Sequence, residues 1–188
     1  YADRTFRLNG LNLKPKEIIE YVPTDLNTSE IGLIYEAVNA LREDNIQNYT
    51  IKDVLDEIRA SSSNTKWGVY NKLEPLLESE FLSEKATPLV ELFAKGRTSI
   101  IDMKGIHPEA QQTIVAKLLS NLFEARKAGL VPPGMVVVEE AHNFCPEKGL
   151  SKTTCSDVLR AIASEGRKFG LGMLIISQRP AKVDKNVL

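Results

Sequence analysis

Short apolar runs alternate with helix-periodic stretches over residues 98–176, and this alternation constrains the fold more than any other feature. Thr98-Ser99-Ile100-Ile101-Asp102-Met103, Met135 to Val138 and Leu171 to Ile176 read as strands. Between the first two, His107-Pro108-Glu109 opens a long helix that Gly129 ends, with Ile114, Val115, Leu118, Leu119, Leu122 and Phe123 facing inward. Between the last two, Thr153 to Ser164 is a helix with Val158, Leu159, Ile162 and Ala163 apolar. Strand, helix, strand, helix, strand implies an α/β fold with a parallel sheet and right-handed crossovers. Uninterrupted apolar strands are expected to be buried on both faces. Ligands of such sheets bind at the carboxyl ends of the strands, which is where Glu139, Glu140, Ser177 and Gln178 fall.

The chain before residue 98 reads differently. Asn27-Thr28-Ser29-Glu30 starts a helix with Ile31, Leu33, Ile34, Ala37, Val38 and Leu41 on one face. Thr50-Ile51-Lys52-Asp53 has capping-box spacing with Asp in place of Glu, and Val54, Leu55 and Ile58 follow. Ser61-Ser62-Ser63-Asn64 is a loop. Trp67, Val69, Tyr70, Leu73, Leu76 and Leu77 form the next stripe, and Pro88 to Lys95 a short helix closed by Gly96. The expected division is a mostly helical part, residues 1–97, and an α/β part, residues 98–188.

With 188 residues there is enough chain for one sizeable core. A formal net charge of −1 gives no bulk electrostatic argument for nucleic acid, although a local basic surface would suffice. Acidic residues outnumber basic ones before residue 98, and the reverse holds after it. Two cysteines, Cys145 and Cys155, make no disulfide framework and suit a reducing, cytoplasmic compartment. No apolar run approaches the roughly 18 residues of a membrane span, so no membrane partner is expected. The chain begins at Tyr1 and stops just after a strand, and reads as part of a longer protein.

The chemistry concentrates in three stretches. MVVVEE, residues 135–140, matches the Walker B pattern of P-loop ATPases. There one strand-tip carboxylate holds hydrated Mg²⁺ and another polarises the attacking water, roles that would fall to Glu139 and Glu140. The usual first acid is Asp, so Glu139 departs from the pattern. The acids could equally be solvated, or cap the following helix. Ile175-Ile176-Ser177-Gln178-Arg179-Pro180 ends a strand in an amide, which can donate to a phosphate and accept from water; it could also be a simple polar turn. Glu165-Gly166-Arg167-Lys168-Phe169-Gly170 places Arg167 in a loop, where it could stabilise transition-state charge or simply complement a helix C-terminus.

Taken in this order, EEAHNF, a helix, EGRKFG, a strand and SQRP resemble the HerA family of hexameric DNA translocases, which belong with the FtsK-like pumping ATPases. The resemblance extends over nearly the whole chain, with its specific motifs in residues 135–180. It implies a RecA-like P-loop NTPase core with residues 1–97 as an insertion, ATP and Mg²⁺ as cofactors, and double-stranded DNA as substrate. It also implies a hexameric ring, a NurA-type nuclease partner, and a role in DNA end resection and recombination repair. By resemblance Glu139 serves the metal, Glu140 the water, Gln178 the γ-phosphate, and Arg167 the neighbouring subunit's site. One departure is large. No Gly is followed by Lys, so the G-x-x-x-x-G-K-[ST] loop is not in this sequence, and these residues alone are expected not to hydrolyse ATP.

Other readings stay open at this level. The chain could be a non-catalytic interaction module on an ATPase scaffold, or belong to a conjugation-type DNA-pumping ATPase. His142, Cys145 and Cys155, with His107, have no strong zinc spacing. Glu-Ala-His also resembles DEAH-box helicases, but the Ser-Ala-Thr motif of that family is missing. Trp67, Tyr70, Phe81 and Phe93 could stack on bases, but their helical stripes favour core packing.

Overall fold

The computed structural model describes the chain apart from residues 1–3, 23, 79–80, 107 and 148–153. It comprises two compact units, Tyr1–Thr87 and Pro88–Leu188. No helix among the described residues is long and apolar enough to cross a membrane.

In the first unit, β1 (Leu8–Asn9) is followed by α1 (Pro15–Tyr21), α2 (Thr28–Glu43), α3 (Ile51–Ala60) and α4 (Lys66–Glu78), and β2 (Leu82–Ser83) pairs in parallel with β1. Local signals start the helices. Asn27 Oδ1 accepts the Glu30 N–H at 3.0 Å while Glu30 Oε2 accepts the Asn27 N–H at 2.8 Å, a reciprocal cap on α2. At α3 the Thr50 N–H and Oγ1–H both donate to Asp53 Oδ2 at 2.7 Å. The apolar stripes then meet in a core that includes Ile18, Ile34, Val38, Val54, Ile58 and Leu73, each fully buried. Glu30 is buried as well and is paired with Lys72 Nζ at 2.8 Å. The stripe expected on α4 is only partly correct. Val69, Leu73 and Leu76 are buried, but Trp67 is 54% and Leu77 41% exposed. Trp67 leaves α4 on the side opposite Val69 and Leu76, and stacks edge-on against Tyr70 at 5.8 Å rather than entering the core.

In the second unit, α5 spans Leu89–Leu92, shorter than the Pro88–Lys95 helix expected. Phe93 leaves helical geometry, and its ring covers Gly134 so closely that a Cβ there would lie 2.5 Å from Cζ. The long helix α6 (Pro108–Lys127) ends at Gly129, whose φ of 71° allows the Leu130 N–H to reach Ala125 O at 2.9 Å and the Gly129 N–H to reach Arg126 O at 3.0 Å. His107 and Thr153 lie outside the described residues. Strands β3 (Gly134–Val138) and β4 (Leu171–Ile175) pair in parallel from Gly134↔Leu171 to Val138↔Ile175, joined through α7 (Thr154–Glu165).

Two strand expectations are corrected. Thr98–Met103 forms no strand: it bonds to no neighbour ladder among the described residues, and Ile100 is 89% exposed. An apolar run becomes a strand only where another backbone lies alongside it. The paired strands are also not buried on both faces. Val136, Val138, Leu171, Met173 and Ile175 belong to the core with α6 and α7, while Met135, Val137, Leu174 and Ile176 stay 43–59% exposed. Side chains alternate along a strand, and among the described residues the helices cover one face.

Candidate functional site

The ends of β3 and β4 are tied to each other by backbone. The Ile176 N–H donates to Val138 O at 3.0 Å, and the Ala141 N–H returns to Ile176 O at 3.1 Å. Glu140 makes the turn between them possible by adopting a left-handed conformation, φ 48° and ψ 42°. That conformation costs a non-glycine residue about 1–2 kcal/mol, and such positions concentrate at functional sites. A 3-10 turn, Ala141–Asn143, follows. Asn143 O in it accepts from Gln112 Nε2 of α6 at 2.7 Å.

Within this corner the side chains converge. His142 Nδ1 lies 3.0 Å from Ser177 Oγ and 3.3 Å from Glu140 Oε2. The His142 side chain is 13% exposed and that of Glu140 is 46% exposed, yet Glu140 Oε2 itself is buried and makes no hydrogen bond. Ser177 Oγ accepts the Arg179 N–H at 3.0 Å, which turns the chain so that Gln178 faces solvent. Glu139 is exposed at the same strand tip. Glu139, Glu140, His142, Ser177 and Gln178 therefore stand on two touching turns.

Arg167 lies elsewhere. It is exposed in the 3-10 turn Gly166–Phe169 that precedes β4, beside a cleft of about 490 Å³ shared with Ser164, Gly172 and Asn186. That turn is held firmly. A Cβ on Gly166 would meet Leu171 O at 2.5 Å, so only glycine fits. The Arg126 guanidinium donates to Phe169 O, at 2.9 Å from Nε, and to Val131 O. Five residues of β4 separate this turn from Ser177, about 17 Å along the strand. Within one chain, Arg167 does not meet the acids.

The donors fit a hydrated Mg²⁺. The ion takes one or two carboxylates and keeps water and phosphate on its other positions, and the exposed Glu139 carboxylate at the strand tip is a donor of that kind. The cysteines are not part of any such site. Both thiols are buried, and burial pushes Cys145 up to about 11 and raises Cys155 further. No group of three or more His, Cys, Asp or Glu side chains is arranged to hold a metal among the described residues.

One neighbouring cluster has no signature in the sequence. Asp184, 1% exposed, accepts from Arg160 Nε at 2.8 Å and from the Asn186 N–H and Nδ2, each at 2.8 Å. Burial opposes the charge on Asp184, but these hydrogen bonds outweigh it and hold the carboxyl below its usual range. Only the short Asp-Lys-Asn spacing hints at the local half of this arrangement.

Comparison with known proteins bears on both units. The family model for the central domain of the helicase HerA matches residues 1–122. The DNA double-strand break repair helicase HerA of Sulfurisphaera tokodaii is 29% identical over 97% of this chain and 42% of its own length. Its namesake from Saccharolobus solfataricus is 31% identical over 67% of this chain and 27% of its own. The chain thus spans less than half the length of these relatives. Among solved structures, VirB4 of Thermoanaerobacter pseudethanolicus superposes with a TM-score of 0.58 over 87% of this chain and 47% of that one, at 14% identity. That likeness concerns the fold alone, and it agrees with an α/β, RecA-like core.

Proposed function

This chain belongs to the family of the HerA helicase central domain, and from that premise we propose that it is part of an ATP-driven DNA translocase or helicase acting in double-strand break repair. The observation that carries the reading is the meeting of two strand tips. One bears Glu139 and Glu140, with a buried carboxylate oxygen that has no hydrogen bond; the other bears Ser177 and Gln178. Bound Mg²⁺ would neutralise charge developing on the phosphates. Glu139 holds the hydrated ion and Glu140 orients and polarises the attacking water. Gln178, exposed and amide-bearing, reports on the γ-phosphate.

Arg167 serves a neighbouring copy. Its position at the far end of β4 supports this, because it cannot reach the acids of its own chain. An arginine acting in trans requires a closed assembly, and a hexameric ring around duplex DNA is the form proposed. A NurA-type nuclease is the proposed partner in end resection. The phosphate-cradling loop has no match in these 188 residues, so they do not turn over ATP by themselves.

The test is DNA-stimulated ATP hydrolysis by the longer protein that contains this chain. Glu140→Gln is expected to lower the rate by roughly 100-fold or more. Undiminished turnover in that variant would contradict the assignment.

A further inference from the structure

The loop that carries Gln178 is fastened at both ends. At its near end lie the backbone bonds between Ile176, Val138 and Ala141. At its far end, Val183 bridges Pro146 in antiparallel fashion, the Glu147 N–H donates to Lys182 O at 2.8 Å, and the Asp184 N–H donates to Cys145 O at 2.9 Å. The loop of residues 177–183 and the turn of residues 139–147 are therefore joined at both ends. The last stitch is locked to α7 through a side chain. Arg160 grips Asp184 Oδ2 through Nε at 2.8 Å and through Nη2, and its Nη1 reaches Asp157 Oδ1 at 2.9 Å.

This pair is an odd choice for stability. Burying the Asp184 carboxylate is costly, and its partner Arg160 keeps 31% of its side chain exposed, so attraction screened by water offsets only part of that cost. What the planar guanidinium supplies instead is geometry, since Nε and Nη2 converge on Asp184 Oδ2 while Nη1 is held by Asp157, which fixes the direction of approach. Asp184 uses its other oxygen for Asn186 and its backbone N–H for Cys145, so its own position is fully determined. We infer that Arg160 and Asp184 are positioning residues for the strand-tip site, clamping the loop that bears Gln178 against the turn that bears Glu140. The inference rests on the roles proposed above for those two residues. The clamp also joins both turns to α7, at whose end the turn bearing Arg167 begins.

Asp184→Asn tests this in the longer protein that contains the chain, because it removes the charge and keeps the shape. Two readouts are needed. In hydrogen exchange, the amides of Ala141, Glu147 and residue 184 are expected to exchange about tenfold faster or more, with those of Val136 and Met173 unchanged. In steady-state kinetics, kcat is expected to fall roughly 10- to 100-fold with little change in KM for ATP. The loss should also largely vanish in a Gln178→Ala background, because the clamp acts through that loop. Exchange that rises equally throughout the sheet, or a kcat loss that multiplies fully with Gln178→Ala, would show a merely structural pair and overturn the inference. Absence of hydrolysis by the wild type would defeat the proposed function instead, and the exchange pattern would still decide whether the clamp exists.

Discussion

His142 Nδ1 sits 3.0 Å from Ser177 Oγ, so the turn that follows β3 touches the end of β4 through a side chain as well as through backbone. The same imidazole nitrogen is 3.3 Å from Glu140 Oε2. His142 is therefore the link between the proposed water-polarising acid and the strand that leads to Gln178.

His142→Ala and Ser177→Ala are predicted each to slow ATP hydrolysis by the longer protein, and not independently. Their double-mutant cycle should give a coupling of about 0.5–3 kcal/mol, as expected for side chains in contact. Steady-state rates of the two single variants and the double variant measure it. Strict additivity would mean that the contact has no part in the reaction.

Gly166→Ala is predicted to destabilise the second unit by about 1–3 kcal/mol, because the new methyl group collides with backbone at Leu171 O. Gly134→Ala meets the tip of the Phe93 ring, which can swing away, and should be milder. Urea unfolding of the two variants gives the order.

Acid should unfold the chain through a small set of carboxylates. Lys72 beside Glu30, the Thr50 backbone at Asp53, and the hydrogen bonds around Asp184 hold these groups below their usual values. A depressed acid stabilises the fold at pH above its ordinary value of about 4. That contribution is lost as pH falls through the lower folded value. Thermal unfolding should therefore show little change above about pH 5 from these groups and a steep loss below it, and Lys72→Ala should shrink the part due to Glu30.

The thiols should be inert. Burial pushes the Cys145 thiol up to about 11 and raises Cys155 too. Alkylation by iodoacetamide at pH 8 is predicted to be slow in the native protein and rapid in denaturant. Stability contributed by the protonated Cys145 thiol is present below its ordinary pKa of 9.0 and is lost as pH rises toward 11. Stoichiometric zinc uptake by the native chain would contradict the placement of both side chains in the core.

What the sequence makes legible is what a few neighbouring residues decide. The caps at Asn27–Glu30 and Thr50–Asp53 and the stop at Gly129 are settled within one helical turn, and each forms as its spacing predicts. The strand expected at Thr98–Met103 fails because pairing depends on a distant backbone. Met135 and Val137 look as buried as Val136 and Val138 in a run of apolar letters, and only the packing of α6 and α7 on one face separates them. Trp67 fits an apolar stripe by type but not by angle. The Arg160–Asp184 pair spans 24 residues with no periodicity to announce it. The strand-tip acids and Gln178 are readable as candidates, and their proposed roles come from family resemblance joined to this geometry.

The most direct test of the central claim mixes two inactive versions of the longer protein, Glu140→Gln and Arg167→Ala. Each alone is expected to lose most DNA-stimulated ATP hydrolysis, the arginine variant by about 1,000-fold or more. In a mixed ring, the intact acids of an Arg167→Ala subunit can face the intact arginine of a Glu140→Gln subunit. Partial recovery of hydrolysis on co-assembly is the predicted result. No recovery at any ratio, with mixed rings shown to form, would contradict a site shared between neighbouring copies.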